Sequence, residues 1–503
     1  MAIRAPRPKH LRSLRRPSAA ARGSSSAAVE QVLETRPRRR LKPSHPIPDP
    51  KSGPILNFTD LKALFSSVST GKLMKSAAIL RMSASPPLAD LGSRIMTSDL
   101  MEAPLFRKTV LGVTKHTFYD HFCGGEDLTE AGRTVRELWE AGLSAMLDYG
   151  LEHAGDNESC DRNMEEFVRT IGWTTQSKAL PVSYVVVKIT AICPPRLLKR
   201  VSDLLRWEYK DNSFNLPWKL QTFPLFSDST PLYHTPKKPE ALTPEEEHDL
   251  SLAHQRLATI CGKSLKAYVP LLIDAEDSSI QPAIDYFAYS AAIQHDAGGR
   301  KPLIYNTIQA YLKDATDRLV IAKNAADDIG VPIGFKLVRG AYMTHENKLA
   351  AHLGVESPIH DGIENTHACY NTCADFMLNE IADGSGAVVL ATHNMASGEM
   401  ACSKAASLGI KRNSPFLHFA QLYGMADALS FALRNAGFRV SKYLPFGPVD
   451  QIMPYLLRRA EENKGLLSTS SFDRQLMRKE LGRRSRSWVN EKFNFGKQSN
   501  FVI

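Results

Sequence analysis

Eight short apolar runs recur along the chain from residue 144 onward, with polar side chains at or near their C-terminal ends and a stretch with helical spacing after each. The runs are SAMLDYG (144–150), YVVVKITA (184–191), AYVPLLIDAE (267–276), LIYNTIQ (303–309), IGFKLVRG (333–340), AVVLATHN (387–394), FLHFAQ (416–421) and RVSKYLP (439–445). Runs this short, rich in β-branched residues and bounded by polar ones, read as buried strands. Between them lie RLLKRVSDLLRW, AIDYFAYSAAIQ, YLKDATDRLVIAKNAADD, CYNTCADFMLNEIA and ADALSFALRNAG, and VDQIMPYLLRRAEEN follows the eighth run. Eight strands each followed by a helix predict an α/β fold, a (β/α)8 barrel of the TIM type, over residues 143–470. The rival is a doubly wound open sheet. Holding a dinucleotide, it would carry G-x-G-x-x-G after a strand, and the sequence has no such motif.

Upstream, residues 56–142 repeat apolar positions at three and four, as in FTDLKALFSSV and LTEAGRTVRELWEAG, and predict a helical arm. Residues 211–247, rich in Pro, Ser and charge, read as an insertion between the second helix and the third strand. Loops of that length are usually functional or disordered. Residues 471–503 are taken as a C-terminal tail.

Charge changes the picture at the N-terminus. Residues 1–42 hold ten Arg and two Lys against Glu30 and Glu34, which accounts for the whole net charge of +10. The remaining 461 residues balance, with 51 basic and 51 acidic side chains. A nucleic-acid binder keeps its basic patch on the folded domain, so no nucleic-acid partner is expected. The leader is rich in Arg, Ser and Ala, has no acid before Glu30 and lacks the apolar centre of a secretory signal. That is the composition of a mitochondrial transit peptide, and 43–55 follows as a Pro-rich linker. Seven scattered cysteines fit reduced thiols rather than a disulfide framework. No run of about 18 apolar residues occurs, so any membrane contact is expected to be peripheral.

In a barrel of this type the active site lies at the C-terminal ends of the strands. Lys188, Asp274 and Gln309 end the second, third and fourth runs. Lys336 and Arg339 lie in the fifth, Thr392, His393 and Asn394 end the sixth, Gln421 ends the seventh and Tyr443 lies in the eighth. Lys188 interrupts a run of valines. Its desolvated ammonium needs a partner, and Asp274 on the neighbouring strand is within reach. The alternatives are a lysine that snorkels to solvent and a Schiff-base lysine, as in a barrel lyase or aldolase. Two cations three apart, followed by Gly340, Ala341 and Tyr342, suit an anion such as a phosphate, a carboxylate or a reduced flavin. Arg458 and Arg459 have the planar geometry that binds carboxylates, and Glu462, on the same helical face, is placed to hold one of them. His345-Glu346 and His352 lack the spacing of a zinc helix, and no metal is expected. Cys369 and Cys373 read as one buried helical face.

These residues fall in a recognisable series. LDYGLE at 147–152, KITA at 188–191, IDAE at 273–276, KLVRGAY at 336–342, ATHN at 391–394, QLYGM at 421–425 and Y-x-P-x-G-x6-PYLLRRAEEN at 443–463 resemble the successive signatures of the mitochondrial proline dehydrogenase family. The resemblance covers roughly Phe122 to Lys464. It implies FAD held non-covalently at the C-terminal face, oxidation of L-proline to Δ1-pyrroline-5-carboxylate, and ubiquinone as electron acceptor. That chemistry would sit on the matrix side of the mitochondrial inner membrane. It further implies that Lys188, Tyr443, Tyr455, Arg458, Arg459 and Glu462 contact the substrate, with Asp274 and Lys336 at active-site positions. Ala275, Gln309, Lys336, Arg339, Gly340, Ala341, Thr392, His393, Asn394 and Gln421 are the implied flavin contacts. Bacterial members often have Arg where this chain has Lys336. The sister activity, hydroxyproline dehydrogenase, and a barrel that binds flavin without turnover are the remaining alternatives.

Overall fold

A computed structural model of the chain describes residues 55–96, 98–176, 181–296, 298–453, 455–459 and 467–498. The leader 1–42 and Glu462 therefore lie outside the described residues. Eight parallel strands close into a barrel in sequence order: β1 Ser144–Tyr149, β2 Val182–Val187, β3 Leu271–Ile273, β4 Ile304–Gln309, β5 Gly334–Val338, β6 Val388–Ala391, β7 Leu417–Leu422 and β8 Val440–Phe446. Closure is made by β1 against β8, from Ser144 opposite Ser441 to Tyr149 opposite Phe446. This is the (β/α)8 architecture expected, and the open sheet is excluded.

Helices α1 Thr70–Ser83, α2 Pro86–Met96, α3 Pro104–Thr114 and α4 Leu128–Glu140 form an N-terminal helical region. Around the barrel follow α5 Asn157–Gln176, α6 Pro195–Lys210, α7 Pro244–Ala267, α8 Gln281–Gln294, α9 Ala315–Asp328, α10 Met343–Leu353, α11 Ile363–Ala382, α12 Met395–Ser407 and α13 Asp427–Asn435. A last helix, α14 Leu467–Gln498, occupies most of the expected tail. It is helical because it has a face to bury: Leu476 and Met477 enter the core, and the Arg484 guanidinium donates to the carbonyls of Phe65 and Val68 beside α1.

The insertion is shorter than its composition suggests. Residues 244–247 are the first turn of α7, opened by a Thr243–Glu246 capping box with Pro244 at the first position. The stretch 211–243 has no strand or helix, yet Leu216, Phe223, Leu225 and Phe226 are buried against the barrel helices. It is a packed strap, anchored where the Leu220 N–H donates to the Tyr286 hydroxyl.

Strand alternation sorts the side chains. Val185 and Val187 face the helices, whereas Tyr184 and Val186 join Met146, Leu272, Tyr305 and Val389 inside the barrel. The same parity carries Asp148, Lys188, Asp274 and Lys336 into the interior one layer above that apolar plug. At the opposite, N-terminal mouth a cavity of about 910 Å³ is lined by Ser144, Tyr184, Tyr305 and His418. There the hydroxyls of Ser144, Ser183 and Ser441 close a hydrogen-bond ring, and His418 bonds to Ser441. That end is a floor, the usual role of the N-terminal face in barrels.

Candidate active site

Lys188 stands one residue beyond β2, where its ammonium meets side chains from three other strands or the residues just past them. It donates to both oxygens of Asp148 at 3.2 Å, to Asp274 at 2.9 Å and to the Tyr443 hydroxyl at 3.0 Å. Tyr443, at the middle of β8 rather than its end, lies with its hydroxyl 2.8 Å from Asp148 and 2.7 Å from Asp274. Lys336 donates to the other oxygen of Asp274 at 2.5 Å, and both ammonium groups approach the Tyr443 ring. Two cations and two carboxylates thus form a buried, nearly neutral cluster.

Burial favours the uncharged form of every member, and proximity of opposite charge opposes it. For Lys188, burial would lower the pKa, but Asp148 and Asp274 outweigh it and hold the ammonium well above its ordinary range. For Asp274, burial is overcome by Lys188 and Lys336, and the carboxyl stays below the usual range. Asp148 shares only Lys188, so burial prevails and its pKa rises. A Schiff-base lysine must be available as the free amine. An ammonium hydrogen-bonded to two carboxylates and a phenol is poorly placed for that role, which argues against the lyase reading; nor does Lys188 snorkel, since it is 5% exposed.

Arg458 and Arg459 lie on the helical stretch 455–459 beyond β8. Arg458 makes a two-pronged ion pair with Glu152, at 2.5 and 2.8 Å, and faces the Tyr342 ring. Glu462, expected to hold one of the arginines, lies outside the described residues. In the fold Glu152, in the loop after β1, holds Arg458. Arg459 is buried, with its guanidinium 5.1 Å from the Tyr455 ring. Beside them, Glu276 is fully buried: Thr190 donates to one oxygen, while the other has no hydrogen-bond partner and lies 3.7 Å from His153. Burial pushes its carboxyl up to about 8.

The expected flavin contacts form a second group across β4 to β7. Arg339 stacks on Tyr370 at 4.4 Å and donates to His367, Thr392 and Ser397, at 2.8–2.9 Å. Among the described residues no carboxylate pairs with it; its hydrogen-bond partners are neutral. Gly340 follows in the left-handed region (φ +130°), a turn that sets Ala341 and Tyr342 at the rim. His393 accepts from the Leu422 N–H, and burial lowers its pKa to about 3, so the ring is neutral. Asn394 caps α12, bonding the Ser397 N–H and approaching His367. Gln421 donates to the Thr392 carbonyl and accepts from Ser430. Their amides therefore brace the rim from within. Gln309 donates to the Glu276 carbonyl, and Ala275 lies just beyond β3, between Asp274 and Glu276 in the chain.

Sequence reasoning missed Asp148, Glu152, Glu276 and His367. Asp148 closes the first apolar run as Asp274 closes the third, and that parallel was the available signal. His367 sits on a helix and is brought in only by packing.

A closed barrel with a buried ionic cluster and an arginine pair at its C-terminal mouth has the layout of a (β/α)8-barrel enzyme. Residues 131–475 match the proline dehydrogenase family. The chain is 55% identical to proline dehydrogenase 1, mitochondrial, of Arabidopsis thaliana, over 92% of this chain and 93% of that one. It is 29% identical to hydroxyproline dehydrogenase of Bos taurus, over 87% and 95% respectively. In fold it resembles proline utilization A from Bdellovibrio bacteriovorus, with a TM-score of 0.56 and 18% identity, covering 87% of this chain and 40% of that larger one. The chain belongs to the proline dehydrogenase family.

Proposed function

We propose that the chain oxidises L-proline to Δ1-pyrroline-5-carboxylate with bound FAD and passes the electrons to ubiquinone. On this reading it works in mitochondria, in peripheral contact with the matrix side of the inner membrane. The observation that carries the reading is the convergence of Lys188, Asp274, Lys336 and Tyr443 into one buried hydrogen-bonded cluster beside Arg458 and Arg459. The names of the relatives supply the substrate. Among the described residues no helix is long and apolar enough to cross a membrane.

The residues fit the cofactor. Arg339, with neutral partners only, suits a phosphate, and the unpartnered Glu276 oxygen suits a hydroxyl. Bound FAD would accept the hydride from C5 of proline. The chain's own share is orientation and electrostatics. Arg459, with Arg458 when it turns from Glu152, binds the substrate carboxylate through charge-assisted hydrogen bonds. The Tyr443 ring forms the wall on which the pyrrolidine packs. With Lys188 and Lys336 balancing Asp148 and Asp274, the cluster puts no net charge near the reacting amine, which is left free to react as the neutral base. Glu152 and Glu276 line the route to His153 at the surface, by which the amine proton can leave.

Anaerobic addition of L-proline to purified holoenzyme tests this. The flavin absorbance should bleach, and a ubiquinone analogue should restore it. Flavin that does not respond to proline would leave a binding protein without turnover; bleaching by hydroxyproline alone would assign the sister activity.

A further inference from the structure

Outside the cluster, helix α11 carries a pair of thiols that the proposed reaction does not use. Cys369 is partly exposed and Cys373 fully buried one turn later. The Thr316 hydroxyl on α9 lies 3.4 Å from both sulfurs, and His360 adjoins Cys369. A hydrogen bond from Cys373 lowers the Cys369 thiol to about 6, against burial, with Thr316 and His360 adding to it. The other five cysteines are buried, and burial pushes each of their thiols up. Nucleophilicity follows the thiolate and its exposure. Of the seven cysteines Cys369 alone is partly exposed, and a second thiol, Cys373, lies against the same Thr316 hydroxyl.

We propose that Cys369 and Cys373 are an oxidation site for hydrogen peroxide, with Cys369 the attacked thiol and Cys373 the resolving one. The Cys369 thiolate attacks one peroxide oxygen, the O–O bond breaks, and sulfenic acid and hydroxide form. The Cys373 sulfur then displaces the sulfenic hydroxyl, and its proton leaves with that hydroxyl as water. The two thiols lose two electrons to the peroxide. The resulting disulfide is intrahelical. Helical residues four apart hold their Cβ atoms about 5–6 Å apart, whereas a disulfide needs about 3.5–4.5 Å, so closing it deforms this turn of α11. Tyr370 lies inside that turn, and the Arg339 guanidinium rests on its ring. Oxidation at the helix therefore disturbs the cation assigned to the flavin, a consequence that rests on the proposed cofactor.

Peroxide treatment of the holoenzyme, alkylation of remaining thiols and mass analysis of the peptide spanning 364–380 is the test. The expected result is loss of two hydrogens from that peptide ahead of modification at other cysteines, with flavin released on filtration and both effects reversed by a thiol reductant. Cys373→Ser should stop at a sulfenic acid on Cys369, trapped by dimedone. Cys369→Ser should keep its flavin under peroxide. Oxidation of other cysteines while Cys369 stays a thiol would overturn the site. A disulfide that forms without releasing flavin would overturn its coupling to Arg339, and the mass readout stands whether or not flavin is the cofactor.

Discussion

The phenol of Tyr443 is fully engaged: it has one proton for two carboxylate oxygens, and it accepts from Lys188. A substrate hydroxyl at C4 would meet ring carbon there, unsatisfied, at a cost of roughly 1–3 kcal/mol. We expect kcat/KM for L-proline to exceed that for trans-4-hydroxyproline by about tenfold or more, and Tyr443→Ser to narrow the gap. Assaying both substrates on both proteins decides this; a parent chain that prefers hydroxyproline sinks it. Arg459→Met removes one charged donor to the substrate carboxylate, worth about 1.5–3 kcal/mol. KM for proline should rise by ~10–100-fold with flavin content nearly unchanged, and an unaltered KM would refute the assignment. Glu276 gives a pH prediction. The folded chain keeps its proton up to about 8, while the ordinary carboxyl value is 4.5. Across that window the folded state binds the extra proton, so Glu276 makes stability fall as pH rises. Glu276→Gln cannot lose a proton, so its thermal midpoint relative to the parent should climb from the acid to the alkaline end. A constant difference would show that the carboxyl titrates normally.

At the scale of elements, the exit of β5 is a tightly constrained turn in the site. Gly340 has φ +130°, and a Cβ built on it would lie 2.4 Å from the Tyr311 ring. Gly340→Ala should cost about 1–3 kcal/mol in backbone strain, visible in urea unfolding. It should also loosen flavin binding, because the same turn aims Arg339; normal flavin retention would show that the turn is not part of the cofactor site. All eight strands were legible from the apolar runs, within a few residues. The third run was too long: AYVPLLIDAE starts in α7, whose last residue is Ala267, and only Leu271–Ile273 are strand. An unbroken apolar run cannot mark where a buried helix hands over to a buried strand. The start of α7 was readable in Thr243-Pro244-Glu-Glu246, a capping signature hidden inside a charged stretch. The helix over 471–498 has a weak apolar stripe, and its order depends on the partners that cover Leu476 and Met477.

For the whole molecule, the charge distribution carries the prediction. The leader holds the entire excess of +10, and the rest of the chain balances. A chain lacking residues 1–42 should fold, bind flavin and oxidise proline as the full chain does, yet fail to enter isolated mitochondria. Import of the truncated chain at the normal rate would refute the targeting role. The N-terminal helices belong to the same packed body as the barrel: the Tyr119 hydroxyl donates to the Gly447 carbonyl at 2.6 Å, and Glu126 accepts from the Val449 N–H at 3.3 Å. Removing the arm itself, unlike the leader, would strip the loop that leads from β8 to the arginine pair.

The sequence by itself determined the strand count, the order of strands and helices, and which side chains stand at strand ends. These follow from local geometry: alternation has a period of two, and helices a period near 3.6. It also showed the family through short motifs in order, and the Lys188–Asp274 pair, because adjacent strands must place their ends together. Only the tertiary structure decided how the remaining charges are shared. Barrel closure brings Asp148 to Tyr443, 295 positions away, and Arg458 to Glu152, 306 away. Whether a carboxylate is held down like Asp274 or pushed up like Glu276 depends on how many cations share its burial, and desolvation is a property of the packed interior rather than of any segment of chain.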